Sequence, residues 1–185
     1  MLTVMVTIAI EPVVFGNDNR TIMSKIDKID VEIVNLLMED GRMSAAEISR
    51  RVGGITERTA RYRIDRLVES NIIRISAIPN PRSIGYAVIA DVFIEVDSGH
   101  ILEVAKKLTE FEQISYVACS IGETDISAQV LSHDTAEVYQ FVTEVIGTIP
   151  HVRKTATSIV PMILRDVYSW RIPESVMSEN QVVNH

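Results

Sequence analysis

The sequence predicts an α+β chain in two parts, three helices followed by a strand-helix-strand-strand-helix-strand run. Before residue 70, apolar residues recur at three- and four-residue steps. After residue 86, β-branched runs alternate with two further amphipathic segments, and Pro79-Asn80-Pro81 separates the two patterns. The expected division is an extension over 1–23, a helical unit over 24–79, a mixed unit over 80–167 and a tail over 168–185. With 185 residues, 46% hydrophobic and only 5% aromatic, each unit can bury a core that is mostly aliphatic.

Residues 1–22 resemble nothing that follows. Their alternation of Leu2, Val4, Val6, Ile8 and Ile10 with Thr3, Met5, Thr7 and Ala9 suits an added strand, and a start of translation at Met23 is the equal alternative. The stretch is a poor signal peptide, with no Lys or Arg ahead of it and Glu11-Pro12 inside it, and it is too short to span a bilayer as a helix. From Lys25 to Glu39, Ile26, Ile29, Ile33, Leu36 and Leu37 mark an amphipathic helix ending near Asp40-Gly41. Ser44 and Glu47 form a capping-box pattern for a short second helix with Ile48 and Val52 inward. Gly53-Gly54 ends that helix, and Thr56 is the N-cap of a third running to about Ser70. Ile72 to Ile78 is β-branched and reads as a small wing or a connecting strand.

In the second part, strands are expected over 86–96, 114–121, 126–131 and 152–164, with helices over 99–111 and from Asp134 to Ile149. That order is the ferredoxin-like βαββαβ pattern, which carries both helices on one sheet face and leaves the other to be covered, most economically by another subunit. The tail from Ile172 is polar apart from Val176, Met177, Val182 and Val183 and is expected to be mobile. Cys119 is the only cysteine, which excludes a disulfide within one chain, fits a reducing cytoplasm and reads as a small buried apolar residue.

The net charge of -7 opposes phosphate binding if spread evenly, but it is not spread evenly. Residues 42–74 carry eight arginines against four acids, whereas residues 83–185 carry six Lys/Arg against fourteen acids. At 100° per residue the third helix puts Ala60, Ile64, Leu67 and Asn71 on one stripe, opposite Arg58, Tyr62 and Arg66 with Thr59 beside them. Such a helix is either a solvated surface or a groove reader. The capped helix before it, the Gly-Gly turn and the wing-like strand after it favour a winged helix-turn-helix that reads double-stranded DNA. Arg58, Thr59 and Tyr62, near the N-terminal end, are the candidates for base edges; Arg61, Arg63 and Arg66 are the candidates for phosphates. Asp65 and Glu69 weaken the phosphate argument at the C-terminal end.

These residues resemble the Lrp/AsnC, or feast/famine, transcriptional regulators. The resemblance runs through Asp27-Lys28-Ile29-Asp30, Ile33-Val34, Leu36-Leu37, Asp40-Gly41-Arg42, Ser44, Glu47-Ile48, Val52-Gly53, Arg63, Arg66-Leu67 and Ile72-Ile73. It continues through Asn80-Pro81 and Gly85 to Gly122-x-x-Asp125, the run Ile149 to Thr155, and Thr157. It implies a DNA-reading domain on a ferredoxin-like regulatory domain, homodimers that associate further, and an amino-acid effector bound between subunits. It places that effector at Gly122, Glu123, Thr124 and Asp125, with Ser120 and Thr157 as further candidates. Read from its residues alone, the same loop is equally a β-hairpin turn whose Asp satisfies backbone amides. The chain departs from the family in a Gly53-to-Thr56 turn one residue longer, and in His151 where glycine is common.

An enzyme is the main alternative, because siroheme decarboxylases resemble these regulators in plan. Their His-Asn-Tyr-type motif is missing here, where Ser115-Tyr116-Val117-Ala118-Cys119-Ser120 stands. The histidines, His100, His133, His151 and His185, are scattered without ligand or triad spacing, so neither a metal nor a catalytic residue is expected. No glycine-rich phosphate loop is present either. A non-DNA-binding effector or assembly module is the third reading.

Overall fold

The computed structural model describes residues 26–173, so the expected N-terminal strand and most of the expected tail lie outside the described residues. Two compact units divide at Ser76/Ala77 and again at Asp166/Val167.

The first unit holds α1 (Lys28–Glu39), α2 (Ala45–Val52) and α3 (Glu57–Glu69). Their inward faces meet in a cluster of Ile33, Val34, Ile48, Ala60 and Leu67, with Ile26, Leu37, Val52 and Ile64 packed around it. Local chemistry sets each boundary. Ser44 accepts from the Glu47 amide at 3.2 Å to start α2, and Thr56 accepts from the Thr59 amide at 3.1 Å to start α3. The reciprocal half of the box expected at Ser44 is replaced: the Glu47 carboxylate turns to Arg50 instead. The complete capping box is at α1, where the Asp30 amide donates to Asp27 at 2.9 Å and the Asp27 amide to Asp30 at 3.0 Å.

Residues 72–78, expected as a wing or connecting strand, belong to no strand. The end of the described chain is not a loose tail. A single 3₁₀ turn spans Val167–Ser169, and Ile172 packs against the helical cluster. Its amide donates to Asn35 Oδ1 at 3.0 Å, and Asn35 Nδ2 donates back to its carbonyl at 3.2 Å.

The second unit opens with a 3₁₀ turn, Pro81–Ile84, that ends at Gly85 with φ 103°. It then runs β1 (Val88–Val96), α4 (Ile101–Leu108), β2 (Ile114–Cys119), β3 (Ile126–Ser132), α5 (Thr135–Gln140) and β4 (Val152–Ile159). The strands stand in the order β2-β3-β1-β4, and every neighbouring pair is antiparallel. This is the ferredoxin-like sheet. Past Gln140 the coil widens to a π turn over Phe141–Val145 and tightens to 3₁₀ over Ile146–Thr148. Val92, Ile94 and Val96 of β1 point into a core with Val104, Leu108, Ile126, Val130 and Ile146. The opposite face of the sheet carries Asp91 beside Gln129, whose Nε2 donates to the Asp91 carboxylate at 3.2 Å, with Phe93 and Tyr116 exposed. Cys119, expected to be buried, is exposed at the end of β2. No helix among the described residues is long and apolar enough to cross a membrane.

Candidate functional site

The third helix sorts its side chains by face. Ala60 and Leu67 are fully buried and Ile64 packs beside them, while Tyr62 is 67% exposed and Arg58 and Arg61 face solvent. Gly53 and Gly54, at φ 72° and 68°, make the reversal that swings α3 away from α2, a conformation that costs a side-chain-bearing residue but not glycine. Arg61 leans on Glu57 one turn back at 2.8 Å, yet its side chain remains 68% exposed. Thr59 is half-buried and tied to the cap, its hydroxyl 2.9 Å from that of Thr56.

Arg63 and Arg66 have a different occupation from the phosphate contacts expected of them. Both reach Asp30 of α1, whose side chain is 1% exposed: Arg63 Nη1 donates at 2.9 Å, and Arg66 Nη2 donates to the other carboxylate oxygen. Arg63 also donates to Asp27 at 2.7 Å. Burial pushes the Asp27 carboxyl up, but the Arg63 guanidinium and the Asp30 amide outweigh it and hold the group below its ordinary value. The same two carboxylates push the Arg63 guanidinium up. These charges therefore staple α3 to α1. The signal for Asp30 was present in the sequence: it lies on the same stripe as the apolar Ile33, Val34 and Leu37 of its own helix.

The Gly122-to-Asp125 loop joins β2 to β3. Asp125 Oδ2 accepts from the Val96 amide at 2.8 Å, and the Asp125 amide donates to the Ile94 carbonyl at 3.0 Å. Ser120 closes the loop, its hydroxyl donating to the Thr124 carbonyl at 2.8 Å. Gly122 and Glu123 form an exposed tip. The Asp125 carboxylate thus serves a single backbone amide, and one of β1 rather than of its own hairpin loop, so that it holds the loop against the end of β1. Thr157 is not part of this group; it lies on β4, paired with Val92 on the far side of β1 from β3.

Comparison with known proteins matches residues 26–68 to the AsnC-type helix-turn-helix domain and residues 89–165 to the Lrp/AsnC ligand binding domain. The chain belongs to the Lrp/AsnC family. Among relatives of this Lrp/AsnC regulator, an HTH-type transcriptional regulator of Pyrococcus horikoshii is 34% identical over 146 residues, covering 78% of this chain and 92% of the relative. The HTH-type transcriptional regulator FL11 of Pyrococcus abyssi is 38% identical over 136 residues, covering 73% and 89%. The fold agrees with solved structures: Escherichia coli AsnC, at 24% identity and TM-score 0.69, is matched over 98% of its length and 77% of this chain. A transcriptional regulator of Neisseria meningitidis in complex with L-Met, at 22% identity and TM-score 0.72, is matched over 96% of its length and 78% of this chain.

Proposed function

We propose that this Lrp/AsnC regulator reads double-stranded DNA with the outer face of α3. Arg58 and Tyr62, with Thr59 beside them, meet base edges, and Arg61 meets phosphate. The observation that carries the reading is the division of α3 into a packed aliphatic face and an exposed face bearing Arg58, Arg61 and Tyr62. Arg63 and Arg66 act at one remove, by fixing the helix through Asp30. The chain serves regulation rather than catalysis, in the cytoplasm, with residues 24–79 as the reader and 80–167 as the regulatory unit.

The regulatory unit, on this reading, forms a homodimer that associates further, the open sheet face with Phe93 and Tyr116 providing the apolar surface for a second copy. An amino acid is the proposed effector, held near the Gly122-to-Asp125 loop; the regulator of Neisseria meningitidis with bound L-Met supports this class. Because Asp125 already serves Val96, the exposed tip residues Gly122 and Glu123 and the neighbouring Thr124 are the better contacts.

Fluorescence anisotropy on the chain's own promoter DNA, across a salt series, tests the DNA reading. Arg58→Ala is expected to cost about 1–3 kcal/mol and to flatten discrimination between sites. Arg61→Ala is expected to weaken all sites alike and to reduce the salt slope by about 1. Affinity unchanged by both substitutions removes direct DNA reading through α3. Calorimetric titration with the common amino acids tests the effector, with Thr124→Ala as the variant expected to weaken binding; silence from every amino acid removes it.

A further inference from the structure

Two histidines that stand far apart in sequence meet in the fold. His100 closes the turn after β1 and precedes α4, and His151 lies in the turn that leads into β4. Their rings stack with centroids 3.4 Å apart and planes within 6°. Two carboxylates attend them: His100 Nδ1 is 3.0 Å from Glu103 Oε2, and His151 Nδ1 is 3.4 Å from Asp97 Oδ2. Potential ligand atoms of His100, Glu103 and His151 all lie within 4.8 Å of one another. The backbone underneath is already tied, the Asp97 amide donating to the His151 carbonyl at 2.9 Å.

The backbone at position 151 makes this grouping more than a chance meeting of surface side chains. His151 has φ 71°, one of two non-glycine residues in the left-handed region among those described. That conformation costs a residue with a Cβ about 1–2 kcal/mol, a cost glycine does not carry. What the imidazole gains there is its place beside His100, Glu103 and Asp97.

We propose that His100, Glu103 and His151 bind a divalent transition metal of the zinc class, with Asp97 or water completing the shell. Two imidazole nitrogens and a carboxylate are the donor set that zinc, nickel and cobalt favour, whereas magnesium and calcium call for oxygen ligands. A tetrahedral zinc with bonds near 2.1 Å sets its donors about 3.4 Å apart, so the three groups close in by an ångström or so on loading. Stacked rings aim their lone pairs side by side, and the stack therefore opens as the nitrogens converge. The two rings have room to turn, being 38% and 36% exposed. The ion would clamp the start of α4 to the turn before β4, and, where Asp97 completes the shell, both to the end of β1. Val96, which holds Asp125 of the effector loop, is the residue next to Asp97. The metal site stands independently of the DNA reading.

The test is titration of chelator-stripped, full-length protein with Zn²⁺ by calorimetry and with Co²⁺ by visible absorption. The wild type is expected to take up one equivalent per chain. His151→Gly removes a ligand while relieving the left-handed backbone, so it keeps the fold and is expected to bind about 10-fold or more weakly. His100→Ala is the second variant and is expected to behave alike. His133→Ala, whose ring is engaged with Glu137 instead, is expected to bind as the wild type does. No uptake by the wild type, or equal affinity in the wild type, His151→Gly and His100→Ala, overturns the proposal.

Discussion

Asp30 shows how one residue can decide what its neighbours are free to do. A carboxylate 1% exposed pays a desolvation cost that only partners can offset, and Arg63, Arg66 and the Asp27 amide are those partners. Asp30→Ala leaves Arg63 with Asp27 alone and Arg66, which is partly solvated, without its carboxylate; the expected loss is about 1–3 kcal/mol in urea unfolding. Arg58→Ala, on the exposed face of the same helix, is expected to leave the unfolding midpoint unchanged while DNA affinity falls. If the two substitutions cost similar stability, Asp30 is not the staple described. Glu137 is a second residue whose partners fix its charge. The His133 amide, the Ser132 hydroxyl and the His133 ring bring its pKa down from 4.5 to about 2. A depressed carboxyl contributes stability that is fully present above 4.5 and drains away as the pH falls from there toward 2. Glu137→Gln is therefore expected to flatten the dependence of Tm on pH across that window, and carboxyl NMR of the wild type should follow the titration itself. A midpoint for Glu137 at its ordinary value contradicts the hydrogen-bond set.

At the scale of elements, the turn between α2 and α3 holds two successive residues at positive φ, Gly53 and Gly54. Gly53, at φ 72° and ψ 157°, occupies a region that is almost exclusive to glycine. A Cβ there would meet no atom within 4 Å, so any cost of Gly53→Ala is conformational rather than steric crowding by neighbours. That cost is expected to be about 1–3 kcal/mol, read as a lowered Tm; an unchanged Tm denies the role given to this turn. Helices and strands were legible because periodicity and capping residues act locally: Thr56 and Asp134 cap as their positions suggest, and the run of strands and helices along the second unit is the expected βαββαβ order. Pairings between distant segments were not legible. His100 and His151 carry no spacing signal, since only the return of β4 beside β1 brings them together. Arg63 and Arg66 look like any other basic residues on a helix until α1 delivers Asp30 to them. Ile172 looked like part of a polar tail, and only the amide of Asn35 reveals that this point of the chain is held. The β-branched run over 72–78 shows the converse, strand propensity without a strand, because propensity alone supplies no ladder.

At the scale of the whole molecule, charge and symmetry bear on the same proposal. The basic block over 42–74 is joined to residues 83–185, which hold fourteen acids against six basic residues, so most of the chain repels the phosphates that α3 is proposed to approach. Several of its arginines are also engaged with acids of their own unit, Arg50 with Glu47 and Arg51 with Glu39 among them. A single reader is thus expected to bind weakly, and two readers held together gain from the high effective concentration of the second site. The open sheet face is the surface on which that coupling is proposed to depend. Phe93, 37% exposed, lies on this face away from the helical core, so a change there can act on association without emptying the core. Phe93→Glu is expected to lower the mass seen by light scattering to that of one chain, with the far-ultraviolet dichroism of the wild type retained. It is also expected to lower promoter affinity about 100-fold or more, the gain that linking two sites confers. Unchanged mass moves the interface off this face; reduced mass with unchanged affinity means that one α3 suffices to read the site.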